Sequence, residues 1–372
     1  MKSYHYLFIL SFLLFSCEEN NEESPSYSSK YNHGLYIATD DGVSFYEDGD
    51  LENDIFQDVN GIALNKVKRI KFNDEKVYIA SENDLYVADV KTFENLGFVT
   101  GFSELVDFDF VYNNRIFAVD REESIVKVID IDAMEVISEI ETGDTTRPTF
   151  IITKSYRSFV MNGGSSNENI KDSIIIAFDH RYGNSVASAD FIGALYVGDN
   201  PNSAINDNEL FVLCRGVYNE NDMSESTNSS LVRVDPYGEL RLEWSEDLNN
   251  IYNADNLVSN LSDELSFTCD KGIYSIDKNG NGLSPIIPDL ISDILYYHDE
   301  EYPVTIVTTD TVITPDTTYI ETNTSVYYEN RIVLYVNDAE NDNKTVYKYS
   351  IDDGAYIDTI FLDSPVNDIV YY

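Results

Sequence analysis

The chain is poor in the side chains on which much metal and nucleophile chemistry depends. Its 372 residues include four histidines, three cysteines and one tryptophan. None of His5, His33, His180 and His298 stands at a His-x-His or His–Cys spacing typical of zinc sites. The sequence also lacks a G-x-S-x-G nucleophile elbow and a glycine-rich phosphate loop. These absences argue against zinc enzymes, serine hydrolases of that type and nucleotide-binding enzymes.

Basic residues are scarce as well. The chain has 24 Lys and Arg against 67 Asp and Glu, which gives a formal net charge of −43. Such a surface repels phosphate backbones, so the sequence predicts no nucleic-acid partner. The acidity is typical either of a surface that attracts cations or a cationic partner, or of a solvated extracellular surface with no specific partner.

Long apolar runs are missing except near the start. Residues 6–15 are apolar but too few to remain as a membrane-spanning helix. The run ends Leu14-Phe15-Ser16-Cys17, which resembles the bacterial lipobox. That resemblance implies a lipoprotein signal peptide at 1–17 and lipidation of Cys17. An ordinary secretory signal with an incidental cysteine is the alternative.

An acidic and polar stretch follows the cysteine. It begins Glu18-Glu19-Asn20-Asn21-Glu22-Glu23 and resembles the export signal of surface lipoproteins in Bacteroidota. The resemblance implies an outer-membrane protein that faces the outside of the cell and has a lipid anchor as its only membrane contact. The composition of 18–32 predicts a flexible tether, and the remainder, 33–372, is predicted to be one folded domain.

A short apolar pattern ending on a small or polar residue recurs along that domain. Its seven copies begin at Leu35, Val77, Ile116, Ser158, Leu210, Leu265 and Ile332. Each copy is flanked by further short strands, and a group of four recurs about every 35–55 residues, which is the period of β-propeller blades. The sequence therefore predicts an all-β fold, a seven-bladed β-propeller.

The last eight residues predict how the ring closes. Residues 365–372 read P-V-N-D-I-V-Y-Y and match 291–297, I-S-D-I-L-Y-Y. The internal copy starts a blade, whereas the terminal copy has no strands after it. We expect the C-terminal strand to be the innermost strand of the blade that begins at Leu35, which removes exposed sheet edges.

The strand-two copies resemble those of YVTN-type (YncE-like) seven-bladed propellers. The segments Gly198-Asp199-Asn200-Pro201 and 209–216 resemble a blade of the propeller lipoproteins on Bacteroidota surfaces. Some members of that group capture cobalamin for a TonB-dependent transporter, so the resemblance implies nutrient capture or docking to such a transporter. Quinone-dependent propeller dehydrogenases repeat Trp in their blades, and a single tryptophan, Trp244, disfavours that class.

Three insertions interrupt the blades, at 162–173, 215–230 and 299–329. The first two join strands two and three, and these connections lie on the propeller face where loops converge and ligands usually bind. The third is rich in threonine and is predicted to hold an extra hairpin.

Five residues are predicted to form a ligand site on the loop-rich face: Arg121, Arg147, Asn162, Arg215 and Tyr218. Arg121 and Arg215 each follow the last residue of a second strand, and Tyr218 lies in the second insertion. Arginines in an acidic rim suit hydrogen bonding to a ligand. Salt bridges to neighbouring acids such as Asp120 or Glu122 are the alternative.

Two further groups each have two interpretations. Asp277, Asn279 and Asn281 match the first half of a calcium loop, but Pro288 stands where the bidentate Glu is needed, so a hairpin turn between strands is favoured. Cys214 and Cys269 end adjacent second strands, which are usually too far apart for a disulfide, so buried free thiols are favoured. The sequence predicts no resident cofactor, with calcium left as the alternative.

Three functions remain open from the sequence. The first is a surface-anchored binding module for a small molecule or glycan, or one that docks on an outer-membrane transporter. The second is an extracellular lyase or glycosidase, for which no catalytic residue stands out because carboxylates are so abundant. The third is a scaffold that contacts only proteins.

Overall fold

The fold is a seven-bladed β-propeller, as predicted. The computed structural model describes residues 30–143, 146–163, 173–181, 189–207, 209–219, 221–237, 240–260, 264–313, 318–341, 343–351 and 354–372. The predicted signal peptide, Cys17 and most of the predicted tether lie outside these residues. Within the described part, no helix is long and apolar enough to cross a membrane.

The described chain forms 28 strands, one short α-helix and one 3₁₀ turn. The strands of the first half are β1 (Leu35–Thr39), β2 (Val43–Glu47), β3 (Asp50–Glu52), β4 (Val67–Asn73), β5 (Lys76–Ser81), β6 (Asp84–Asp89), β7 (Asn95–Val99), β8 (Leu105–Val111), β9 (Arg115–Asp120), β10 (Ile125–Asp130), β11 (Glu135–Glu141), β12 (Phe150–Lys154), β13 (Arg157–Asn162), β14 (Ile174–Asp179) and β15 (Asp190–Tyr196). Those of the second half are β16 (Pro201–Asp207), β17 (Glu209–Cys214), β18 (Ser230–Asp235), β19 (Arg241–Asp247), β20 (Asp255–Ser259), β21 (Glu264–Cys269), β22 (Gly272–Asp277), β23 (Ser284–Pro288), β24 (Leu295–Ile313), β25 (Thr318–Asn337), β26 (Thr345–Ser350), β27 (Tyr356–Phe361) and β28 (Val366–Tyr371). The helix α1 is Ile55–Asn60 and the 3₁₀ turn is Met223–Glu225.

Each blade is a four-stranded antiparallel sheet. Six blades take their strands consecutively, from β4–β7 to β24–β27, and blade one has the order β28-β1-β2-β3. The second strand of blade one, β1, is buried along its whole length, whereas fourth strands such as β19 are mostly exposed. This gradient explains why the second strands carry the clearest apolar pattern, since they pack on both flanks and both faces.

Apolar side chains fill the spaces between neighbouring blades. Between blades one and two, Tyr36 packs against Phe45, Phe72 and Phe93, with ring centroids 5.0–5.8 Å apart. Between blades seven and one, Ile37 and Ile369 belong to one buried cluster with Ile294 and Tyr335. Each fully buried side chain of this size contributes about 1.5–3 kcal/mol of transfer free energy.

The C-terminal strand closes the ring in the predicted place. β28 pairs antiparallel with β1, and Ile37 lies opposite Ile369. The ladder continues at Gly34 and Tyr372, whose backbone groups exchange hydrogen bonds of 3.1 and 3.2 Å. Val366 and Ile369 are buried, but Tyr371 is 37% exposed, so the apolar anchoring comes from the two aliphatic residues more than from the tyrosine.

The third insertion is not a separate hairpin. β24 and β25 pair without a break from Leu295 opposite Val336 to Ile313 opposite Thr318. Only Val333–Asn337 of β25 also pair with β26, so the first two strands of blade seven run on past the sheet as a two-stranded ribbon. The ribbon leaves the face opposite to the loop-rich face, because it lies at the turn between strands one and two.

The second insertion folds back on its own backbone. Thr227 donates its N–H to the carbonyl of Val217 within the insertion, and Gly216 donates to that of Asp199 in the connection between β15 and β16. Asp222 caps the 3₁₀ turn by accepting the N–H of Ser224 at 3.0 Å. Most of the first insertion, residues 164–172, lies outside the described residues.

Candidate functional site

The innermost strands bring one residue of each blade to the same level of the central channel. In every blade, this residue lies opposite the next-to-last residue of the second strand. The seven are Asp368, Arg69, Asp107, Phe150, Ser203, Asp255 and Leu295. The ring therefore combines three carboxylates and one guanidinium with apolar and hydroxyl groups.

Arg69 holds two of these carboxylates together. Its guanidinium nitrogens lie 3.5 Å from Asp107 and 3.3 Å from Asp368. Burial opposes the charge of Arg69, but the two carboxylates outweigh burial and raise its pKa, so the side chain stays protonated. Since Asp107 is fully buried, the group is a charge cluster that only partly faces solvent.

Lys71 adds a second cation one step further along the same strand. Its ammonium lies 3.1 Å from Asp107 and 4.0 Å from Asp109. Burial raises the pKa of Asp109, and the charge of Lys71 works against that rise. Lys71 and Arg69 thus balance a set of acids contributed by blades one and three.

The same carboxylates also join neighbouring blades. Asp368 accepts the N–H of Ile70 at 2.9 Å, and Asp107 accepts that of Ile151 at 3.0 Å. In each case the donor belongs to the innermost strand of the next blade. These side chains are therefore fixed by the fold as well as by the ion pairs, which preorganises the walls of the channel.

A cavity of about 290 Å³ opens around this ring at the loop-rich end of the channel. Its walls mix charged, amide, aromatic and aliphatic groups. The lining residues are Arg69, Ile70, Lys71, Phe150, Asn202, Ser203, Asp255, Asn256, Leu257, Val258, Asp293, Ile294, Leu295, Tyr296, Asn367, Asp368, Ile369 and Val370. This volume is at the lower end for small-molecule sites, and the combination of apolar walls with a few convergent polar groups is typical of them.

Blades six and seven provide the most acidic part of the wall. Asp255 forms an ion pair with Arg215, which stands just outside the cavity. Asp293 is exposed at the mouth, yet the surrounding walls withdraw water from its carboxyl and raise its pKa. The charge of Asp255 adds to this rise and Arg215 opposes it. A ligand cation or hydroxyl placed here would favour the ionised form of Asp293.

Two neutral groups complete the polar part of the wall. The hydroxyl oxygen of Tyr296 accepts the N–H of Tyr371 at 3.0 Å, which fixes the ring beside the closing strand. Asn202 donates to the carbonyl of Ala254 at 3.1 Å, while its side-chain oxygen has no hydrogen-bond partner among the described residues. That oxygen is a buried acceptor in the cavity wall.

The five residues predicted from the sequence are spread over the loop-rich face. Arg121 lies 3.6 Å from Glu104 and Arg147 lies 3.5 Å from Glu122, so both form salt bridges with nearby acids. Asn162 is buried and donates to the carbonyl of Thr142 at 3.3 Å. None of these three lines the cavity among the described residues.

The other two predicted residues come nearer to the cavity. Arg215 contacts the lining residue Asp255. The ring of Tyr218 lies 6.3 Å from that of Tyr252, in the connection that leads to β20. Of the predicted set, Arg215 is therefore the one that the structure joins to the cavity wall.

The two remaining predictions concern thiols and a turn. Cys214 and Cys269 are free and buried, as favoured, and burial raises the pKa of the Cys269 thiol to about 11. Asp277 lies at the hairpin between β22 and β23, and its carboxylate accepts the N–H groups of Asn279 and Asn281 at 2.8 and 2.9 Å. This hydrogen bonding is that of the favoured turn, and calcium binding stays an untested alternative.

The sequence analysis missed the residues that form the cavity. A signal for them is present in the strand-one segments, where Arg69 and Lys71, and likewise Asp107 and Asp109, alternate with apolar residues. Such alternation marks a strand with one polar face, and in the innermost strand that face is the channel. The contact between Arg69 and Asp368 could not be predicted from the sequence, because the two residues are 299 positions apart.

Comparison with known proteins supports the fold. No protein-family model matches the chain, and no curated protein matches it. A candidate 6-phosphogluconolactonase from Bacteroides fragilis superposes with a TM-score of 0.59 at 11% identity over 93% of this chain and 99% of that one. A functionally unknown protein from Desulfotomaculum acetoxidans gives a TM-score of 0.60 at 10% identity, over 91% and 98% of the two chains.

A third solved structure is similar to the same extent. It is a quinoprotein alcohol dehydrogenase-like protein from Bacteroides thetaiotaomicron, with a TM-score of 0.59 at 12% identity over 92% of this chain and 78% of that one. Two of the three descriptions name different activities, and the third names none. At these identities the likeness establishes the β-propeller scaffold and does not extend to what the proteins act on.

Proposed function

We propose that the chain is a binding module that takes a small polar ligand, neutral or cationic, into the cavity at the loop-rich end of the channel. The carrying observation is the cavity itself, whose walls combine Arg69 and Lys71 with three carboxylates. The two cations face Asp107 and Asp368, whereas Asp293 at the mouth has an exposed carboxyl. A hydroxyl or ammonium group of a ligand suits that carboxyl better than an anion does.

The size of the cavity limits the ligand. About 290 Å³ suits a molecule the size of a monosaccharide or an amino acid. Cobalamin, which some propellers of the resembling group capture, is larger than the drug-sized ligands that such pockets enclose. It would have to bind across the loops outside the cavity, where Arg121, Arg147 and Tyr218 lie.

The lipobox resemblance and the acidic segment after Cys17 support a place for this module on the outer membrane, anchored by lipid and facing outward. In that position it captures its ligand and passes it to an outer-membrane transporter. The net charge of −43 suits an extracellular surface and a partner with a basic docking patch.

The test is a thermal-shift screen with neutral monosaccharides, amino acids and the polyamine spermidine, followed by calorimetry on any hit. A true cavity ligand should bind at least about tenfold more weakly to Asp293→Asn, which corresponds to about 1.4 kcal/mol. Asp299→Asn is the matched control, because Asp299 is also exposed and is close in sequence, but it does not line the cavity. A ligand that binds both variants equally is outside the cavity and contradicts the proposal.

One observation favours an enzyme as the second candidate. The raised pKa of Asp293 in a concave site suits a general acid, for example in glycan cleavage. The two functions separate on turnover: a binder returns its ligand unchanged, whereas an enzyme converts it and loses conversion in Asp293→Asn. Product formation from any screened glycan would replace binding with catalysis as the function.

A further inference from the structure

The ribbon formed by β24 and β25 beyond the blade carries two unpaired edges. β24 forms ladder pairs with β25 only, and β25 pairs with β26 only as far as Val333, within the described part of the chain. Residues 301–309 and 320–332 thus present rows of backbone N–H and C=O groups with no strand beside them. A long open edge is a template for another strand, and a two-stranded ribbon alone is only marginally stable in water.

One face of the ribbon is uncharged beyond Glu301, because residues 303, 305, 307 and 309 and residues 320, 322, 324, 326 and 328 share that face by the register of the pair. Residues 302–309, 320 and 322–328 include no Asp, Glu, Lys or Arg, although 24% of the whole chain is charged and sixteen such residues would carry about four. Exposed edges in monomeric proteins usually carry charged side chains, especially lysine, as protection against pairing. The ribbon holds Pro303 and four charged residues within 301–309 and 320–332, namely Glu301, Glu321, Glu329 and Arg331. By the register of the pair, positions 321, 329 and 331 belong to one face, and Glu301, next to the blade, is the only one of the four on the other face.

One face of the ribbon exposes large apolar side chains. Val307, Val326 and Tyr328 share this face through the register of the pair, and they are 58%, 55% and 67% exposed. Ile320 is on the same face and is 70% exposed. Threonines occupy the positions between them, so the face is flat and β-branched, and it suits packing against another sheet face.

An apolar hollow lies at the base of the ribbon. It has a volume of about 140 Å³ and is lined by Ile286, Ile287, Pro288, Tyr349, Ser350, Ile351 and Gly354. Ser350 pairs with Val333, where the ribbon leaves the sheet, and Ile351 donates its N–H to the carbonyl of Ile332. The hollow therefore lies beside the point where the ribbon leaves the blade.

We propose that a second copy of this chain covers the ribbon, so that the apolar faces of the two ribbons pack against each other in a symmetric dimer. Charge supports this occupant: two copies of a molecule with a net charge of −43 repel each other least where uncharged surfaces meet, and the ribbon face with Val307, Val326 and Tyr328 is such a surface. A basic partner would gain nothing at this neutral patch compared with the acidic remainder. An open antiparallel ribbon is also self-complementary under a two-fold axis, as a symmetric dimer requires.

The size of the ribbon sets the strength of the dimer. The thirteen pairs beyond Glu300 span about 44 Å at 3.4 Å per residue, and two strands are about 10 Å wide. Two such faces bury roughly 900 Å² in total, which is below the range of stable complexes and within that of weak ones. We therefore expect a dimer that forms at about 10–100 µM and dissociates on dilution.

The experiment is sedimentation velocity across that concentration range on the full chain carrying Cys17→Ser, so that no lipid contributes to association. Tyr328→Lys and Val326→Lys should each weaken the dimer at least tenfold, because two like charges would face each other across the axis. Tyr196→Lys is the matched control, since Tyr196 is 65% exposed on the outer strand β15 and lies far from the ribbon. This control should dimerise like the parent protein.

Salt gives an independent readout. Added NaCl screens the repulsion between two acidic copies, so the dimer should become stronger from 50 to 500 mM, whereas an interface of opposite charges would weaken. Circular dichroism melts establish that the ribbon variants remain folded. A parent protein that stays monomeric up to about 500 µM, or a dimer that survives both ribbon substitutions, overturns the proposal and leaves the ribbon to a different partner.

Discussion

His180 shows how single buried polar residues are accommodated between blades. It is 1% exposed, and its ring nitrogen Nδ1 accepts the N–H of Tyr112 at 3.1 Å. Arg115, equally buried, donates to the carbonyl of His180 at 2.9 Å. With Nδ1 accepting a hydrogen bond, the ring must be neutral and carry its proton on Nε2. Burial, aided by the charge of Arg115, lowers the pKa of His180 to about 4.

This lowered pKa predicts a loss of stability on acidification. Between pH 6.5 and 4 the unfolded chain binds a proton at this histidine and the folded chain does not, so stability rises with pH in that window and falls as the pH is lowered. From pH 7 to 4.5 the cost is about 2–3 kcal/mol at 1.36 kcal/mol per pKa unit. Urea unfolding at the two pH values measures it.

The matched variant is His180→Asn, which keeps an acceptor for Tyr112 but does not titrate. It should be less stable than the parent at pH 7 and should lose about 2–3 kcal/mol less on acidification. Equal losses in the two proteins would mean that carboxylates elsewhere account for the whole acid sensitivity.

At the scale of the element, the sequence predicts strands well where both sides of a strand are buried. The second strands, such as β9 and β17, are apolar throughout because neighbouring strands and blades cover them. The pairing of β28 with β1 was predictable for a different reason, since 365–372 repeats the pattern of 291–297, which starts a blade inside the chain. The repeat thus predicted the long-range strand pairing, which the local pattern of residues could not predict.

The candidate site was less predictable, because its geometry depends on closure of the ring. The loop residues Arg121 and Arg147 stood out as cations in an acidic chain, but each has a glutamate close by in the sequence or the next loop. The cavity residues lie on strands, where a charged residue in the sequence predicts only an ordinary position that faces solvent. Only the ring shows that Arg69 and Asp368 face the same channel.

Removing β28 should destroy the ring. A chain that ends at Ser364 loses Val366 and Ile369 from the core, about 1.5–3 kcal/mol each, and leaves β1 with an unpaired edge. Domains are stable by only about 5–15 kcal/mol. We expect this truncated chain to be insoluble or to melt well below the parent, as followed by circular dichroism.

The control for this deletion is Tyr371→Ala, which keeps the backbone ladder and removes a side chain that is 37% exposed. It should melt within a few degrees of the parent, as expected for a surface substitution. If the chain ending at Ser364 melted equally high, closure by β28 would not be what stabilises the propeller.

At the scale of the whole molecule, the two proposals concern opposite ends of the propeller. The loop-rich end has the cavity with its mixed charges, and the opposite end has the ribbon with its one uncharged face. The two proposals are therefore independent, since Asp293→Asn alters only the first and Tyr328→Lys only the second. Under the two proposals, pairing through one end leaves the other end open to ligand.

Anchoring is tested at this scale as well. Since Cys17 follows an apolar run in a lipobox-like segment, Cys17→Ser should move the protein from the membrane fraction to the soluble fraction and remove the mass of the lipid. Cys269→Ser is the control, because that thiol is buried within blade six and cannot carry a lipid in the folded state. Unchanged fractionation and unchanged mass in Cys17→Ser would contradict the anchor.

The seam at Gly34 and Tyr372 has a consequence for how chain order relates to shape. The two residues exchange backbone hydrogen bonds, so the N-terminal and C-terminal parts of the propeller chain lie one strand spacing apart. A linker from Tyr372 to Lys30 would keep the buried Tyr31, and with the backbone opened at another blade-to-blade connection it would preserve the strand pairs of every blade. The seven blades form a closed ring, so the order of the blades in the sequence is not needed for their packing.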